Sequence, residues 1–198
     1  MAPDGRIGGN GSVIVGIGGH QHVLVSKSGK EQGKIDYTKD LCLVSKFDTD
    51  SWACEYYSES EDIKPTSDTP MHFSLLSNVE GAFAALHGHA IEKEEVAKSL
   101  NIPCSTEETL FSTPADTKAM FTLLEKFPFP SSKIFVRKNH GFFILGVDLD
   151  DCRKVMDDKL NVSSITKVSK DKGHFKKRKK VKNEKTHRSK PYNLRSRE

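Results

Sequence analysis

No stretch of this 198-residue sequence approaches the ~20 consecutive apolar residues of a membrane-crossing helix. Nor does it open on an apolar segment of the signal-peptide type. Cysteine is sparse: Cys42, Cys54, Cys104 and Cys152 stand far apart, with no C-x-x-C pair. The expectation is a reducing, cytoplasmic location with free thiols and no membrane partner. Apolar residues are only 35% of the chain and mean hydropathy is -0.54, so part of the length is expected to lie outside a packed core. The sequence shows no internal repeat.

Charge is present but unevenly placed. Residues 170–198 hold 13 Lys and Arg against 3 Asp and Glu, a net of +10; the overall +4 therefore leaves -6 on residues 1–169. This split predicts one domain over residues 1–165 and a disordered, Lys/Arg-rich tail over residues 166–198. The tail's block Lys176-Lys177-Arg178-Lys179-Lys180-Val181-Lys182 suits a nuclear-import signal or weak, sequence-independent contact with nucleic-acid phosphates.

Apolar patterning predicts strands near residues 12–15, 22–26, 41–47, 52–57, 81–86, 133–137 and 142–147. Helices are expected from Pro70 to Asn78, over 92–100, over 115–126 after the Thr113-Pro114 cap, and in a last short segment after Asp148. Asp68 or Thr69 is the expected N-cap of the first helix. The result is a mainly antiparallel sheet covered by helices on one or both sides.

The most informative stretch is Leu86-His87-Gly88-His89-Ala90. On a strand, His87 and His89 would face the same way, two imidazoles suited to a divalent transition metal. H-x-H alone reads equally well as polar residues opening a loop. His140 is the natural third ligand, at a tight turn beside Gly141, which permits positive φ or a close approach. Asn139-His140-Gly141 by itself also reads as a plain polar hairpin. Three histidines would leave a tetrahedral metal one open position.

Taken together, Pro65-Thr66-Ser67-Asp68-Thr69-Pro70-Met71-His72, then Gly81 through His89-Ala90, then Arg137-Lys138-Asn139-His140-Gly141 resemble the class II aldolase/adducin family. The matching family segments read P-S-S-E with M-H, V-H-x-H-[SA] and L-x-x-H-G. Gly9-Asn10-Gly11-Ser12 is similar to the family's G-N-x-S, and Ser28-Gly29 to its T-G loop. The resemblance implies a single three-layer α/β/α domain around a mainly antiparallel sheet. It implies zinc, or another divalent transition metal, on His87, His89 and His140, with Asp68 at the position of the catalytic acid/base glutamate. It further implies a phosphate seat from Asn10, Ser28, Gly29, Thr66 and Ser67, and retro-aldol cleavage of a small phosphorylated sugar or related carbonyl compound. Dehydration and epimerisation on the same metal are close variants, and a homo-oligomer is expected. The reading of another class is a non-catalytic, adducin-like interaction module whose basic tail binds nucleic acid or an acidic partner.

Overall fold

The computed structural model describes residues 8–31 and 33–160. The basic tail expected over 166–198 lies outside the described residues. Seven strands, β1 (Gly9–Ile17), β2 (His20–Ser26), β3 (Leu41–Asp48), β4 (Ala53–Tyr57), β5 (Ala84–Gly88), β6 (Ile134–Arg137) and β7 (Gly141–Gly146), form one sheet ordered β4-β3-β2-β1-β5-β7-β6. Every neighbouring pair is antiparallel. Four helices complete the domain: α1 (Thr69–Asn78), α2 (Glu94–Ser99), α3 (Pro114–Lys126) and α4 (Leu149–Lys159). Among the described residues no helix is long and apolar enough to cross a membrane.

Side-chain alternation along the strands divides the core in two. One face packs Val23, Val25, Ala85, Phe135, Phe143 and Leu145 against Met71, Leu75 and Leu76 of α1 and Met120, Leu123 and Leu124 of α3. The other packs Ala84, Ile134, Val136, Phe142 and Ile144 against Ala97 of α2 and Cys152 of α4. The expected three-layer α/β/α arrangement follows directly.

Two local expectations need correcting. The histidine strand runs Ala84–Gly88, so it begins later than residue 81 and His89 falls just beyond it. Pairing with β1 sets these bounds: Val13 lies opposite Ala84 and Gly9 opposite Gly88, while Gly81 turns with φ 78°. Asp68 does occupy the N-cap position of α1, but its side chain makes no capping bond. The carboxylate is drawn elsewhere. Thr113, by contrast, caps α3 by accepting from the Asp116 N–H.

A candidate metal centre at one end of the sheet

The two central strands and the β6–β7 turn end together. In the ladder Asn10 of β1 lies opposite His87 of β5, which lies opposite Phe143 of β7. The turn into β7 brings His140 beside them, and α1 begins just beyond Asp68 on the same face. Two glycines make this closeness possible. A Cβ on Gly141, where φ is 147°, would stand 2.4 Å from the Gly88 carbonyl oxygen and 2.9 Å from His87 Cε1. A Cβ on Gly88 would meet the Phe142 ring at 2.7 Å, so H-x-H needs its small central residue here.

Asp68, His87 and His140 are buried, and one ligand atom from each lies within 4.8 Å of the others. Asp68 Oδ2 is 3.7 Å from His87 Nε2, and Asp68 Oδ1 is 3.4 Å from His140 Nε2. His89 Nε2 is 3.2 Å from His87 Nε2. The structure therefore brings all four predicted residues together, with the Asp68 oxygens in the same cluster as the histidine nitrogens.

The hydrogen bonds fix which nitrogens face inward. His87 Nδ1 is 2.8 Å from the Phe142 carbonyl oxygen, which can only accept, so Nδ1 carries the proton and Nε2 a lone pair. His89 Nδ1 is 3.2 Å from the Glu92 carboxylate, which leaves its Nε2 as the nitrogen turned toward His87. Two ring nitrogens facing one another at this distance call for a proton or a cation between them. Nitrogens bound at ~2.0–2.1 Å on a tetrahedral ion stand about 3.3 Å apart, close to the spacing seen. Two imidazoles, a third from His140 and a carboxylate form a donor set that suits zinc, and the residues present fit a divalent ion.

Electrostatics is dominated by burial and by two aspartates. Burial drives the pKa of His87 down to about 3, against the pull of Asp68, so the ring is neutral. Burial alone would also lower His140, but its contacts with Asp116 and Asp68 outweigh that and raise it to about 9. Without an ion, His140 is thus an imidazolium between two carboxylates. Burial works against ionisation of Asp68; the contact with His140, the charge of that ring and the Asn10 amide hold it below the usual carboxylate range nonetheless.

Asp68 is anchored from two sides. Asn10 Nδ2 donates to Asp68 Oδ2 at 2.6 Å and to Thr66 Oγ1 at 3.1 Å, and Ser112 Oγ donates to Asp68 Oδ1 at 3.3 Å. Behind Asn10 lies His72, fully buried, with a pKa pushed by that burial down to about 4. Its Nε2–H donates to Asn10 Oδ1 and its Nδ1 accepts from Ser12 Oγ. Asn10 thus has its amide hydrogens committed to Asp68 and Thr66. The other residues expected to seat a phosphate are grouped nearby. Lys27 bridges Pro65, Ser28 N donates to the Lys64 carbonyl, and Thr66 N to that of Ser26. The exposed Ser28-Gly29 turn, with φ 69° at Gly29, therefore lies alongside the Thr66-Ser67 segment, where Ser67 is exposed.

Sequence patterning does not reveal Asp116, Arg137, Ser112 and Glu92. The first two form a buried ion pair with Arg137 Nε 2.9 Å from Asp116 Oδ1. Ser112 holds a positive φ of 59°, which turns its N–H to Asp116 and its hydroxyl to Asp68. Charged residues far apart in sequence and buried as a pair leave no periodic trace.

A sheet clasped between helix pairs, with histidines and a carboxylate gathered where its central strands end, defines an α/β domain with a candidate metal site. The chain belongs to the class II aldolase and adducin family, whose N-terminal-domain model matches residues 4–162. Three solved structures share the fold. One is an L-fuculose 1-phosphate aldolase, 16% identical, with a TM-score of 0.60 over 86% of this chain and 79% of the other. A sugar-phosphate aldolase from Thermotoga maritima is 14% identical, with a TM-score of 0.60 over 84% and 88%. The N-terminal class II aldolase domain of a conserved protein from Thermoplasma acidophilum is 18% identical, with a TM-score of 0.55 over 82% and 83%. No curated protein matches the sequence.

Proposed function

We propose that this chain is a divalent-metal-dependent, aldolase-like lyase that cleaves a carbon–carbon bond in a small phosphorylated sugar or related carbonyl compound. The observation that carries the reading is the convergence of Asp68, His87 and His140, with His89 Nε2 alongside. His87, His89 and His140 would hold zinc or a similar ion, with the Asp68 carboxylate beside it and one coordination position left for substrate. When bound, the ion supplies Lewis acidity toward a substrate carbonyl.

The chain's own groups do the rest. The Phe142 carbonyl and the Glu92 carboxylate keep His87 and His89 in the Nε2-ligating tautomer. Asp68, kept anionic, is the proton acceptor at the site, and Asn10 and Ser112 hold its two oxygens in a fixed orientation. The Ser28-Gly29 turn and the hydroxyls of Thr66 and Ser67 offer short donors for a phosphate. Asn10 acts there indirectly, by fixing Thr66. A homo-oligomer in the cytoplasm, with the 176–182 cluster as a nuclear-import or nucleic-acid contact element, completes the proposal.

The test is a retro-aldol assay of the zinc-loaded full chain on a panel of ketose 1-phosphates, detecting the released carbonyl products. Cleavage that is lost in His140→Ala and retained after deletion of residues 170–198 is expected. No cleavage of any member by the loaded protein would favour the interaction-module reading.

A further inference from the structure

His140 Nε2 turns toward Asp68, but its other nitrogen also needs an account. Nδ1 is buried and makes no close hydrogen bond among the described residues; what faces it, at 3.4 Å, is Asp116 Oδ2. Asp116 and Arg137 are each 1% exposed. Burying such a pair costs desolvation that an apolar pair would avoid, so packing alone gives no reason for it.

The two oxygens of Asp116 are divided. Oδ1 accepts from Arg137 Nε at 2.9 Å and from Thr109 Oγ1 at 3.0 Å, and Arg137 reaches Thr109 as well. Oδ2 accepts from the Ser112 N–H at 3.3 Å and is left to face His140. One oxygen anchors the carboxylate in the core; the other serves the site. Ser112, donating to Asp116 through its N–H and to Asp68 through its hydroxyl, sets the spacing of the two carboxylates flanking the ring.

We infer that Asp116, clamped by Arg137 and Thr109, is a positioning residue for His140. It receives the Nδ1–H, directs Nε2 to the ion and strengthens that nitrogen as a donor. The inference rests on the proposed metal reading and concerns one ring's orientation within it.

The test replaces the ion pair by an apolar pair, Asp116→Leu with Arg137→Leu, because the single Asp116→Asn change would strand a buried guanidinium. Zinc affinity of the full chain is measured against a competing chelator, alongside the urea midpoint of the metal-free protein. The expected result is a double variant that still folds without metal, at a lower urea midpoint because the His140 ring and the Ser112 N–H lose a carboxylate, with zinc affinity about 10–100-fold weaker. Equal affinity in a folded double variant would overturn the role of Asp116 and leave the metal site standing. Failure of the parent chain to take up zinc would overturn the metal reading, and this inference with it. A measurement on the parent chain needs no variant: 15N NMR of the zinc-loaded protein should show His140 ligating through Nε2 with a proton on Nδ1. Ligation through Nδ1 would overturn the inference.

Discussion

The Nε2 atoms of His87 and His89 stand 3.2 Å apart, each ring having its Nδ1 turned to another acceptor. His87 is buried while His89 is about half exposed at its side chain. The two rings should therefore separate binding from stability. His89→Ala is expected to weaken zinc binding by more than about 100-fold, beyond the range of an outer-shell change. As an exposed substitution it should leave the metal-free fold within about 0.5 kcal/mol of the parent. Chelator competition and urea denaturation read the two quantities; unchanged zinc affinity would remove His89 from the ligand set.

Metal uptake should depend on pH through His140. Its pKa in the metal-free fold is raised to about 9, whereas His87, near 3, is already neutral. Below about pH 9 an entering ion must displace one proton, so affinity rises close to tenfold per pH unit between pH 7 and 9 and levels off above. Stability of the metal-free fold runs the other way. A raised folded-state pKa gives stability that is complete below the unfolded value of 6.5 and is lost as pH rises through about 9. Calorimetry in buffers of different ionisation enthalpy should count about one proton released per ion at pH 7. Zero would contradict the assignment.

The Ser12–His72–Asn10–Asp68 chain makes a prediction about stability. Asn10→Ala would leave the buried His72 Nε2–H without its acceptor and Asp68 without its closest donor. A cost of about 1–3 kcal/mol is expected, read as a lower urea midpoint at constant m value. A shift within about 0.5 kcal/mol would mean the relay contributes little.

Gly141→Ala tests the close approach that lets H-x-H and H-G meet. The new Cβ would meet backbone at 2.4 Å, in a φ region alanine rarely adopts, and would press on the His87 ring. A loss of at least about 2 kcal/mol is expected, together with weaker zinc binding. A Gly141→Ala protein as stable as the parent would show that the turn has room to relax.

How much of this was legible beforehand follows from where each residue sits. His87, His89, His140 and Gly141 carry short-range patterns, and the alternation of Val23, Val25, Cys42 and Val44 marks β2 and β3. The start of β5 was not legible because β1 decides it: Phe83 is 47% exposed although its apolar neighbours suggest a strand. Asp68 looked like a helix cap because capping is local, whereas its actual partners, Asn10 and Ser112, lie 58 and 44 residues away. Asp116 reads in sequence as an ordinary acidic residue in a helix's first turn; only the fold places Arg137 and His140 against it.

The central claim is that one divalent ion is held by His87, His89 and His140 beside Asp68. Anomalous diffraction at the zinc edge, on crystals of the full chain grown with zinc, tests it most directly. The account predicts one strong peak per chain, at about 2.0–2.2 Å from the Nε2 atoms of His87, His89 and His140 and beside the Asp68 carboxylate. A well-ordered crystal with no zinc peak at these residues, or with zinc bound only elsewhere, would contradict it.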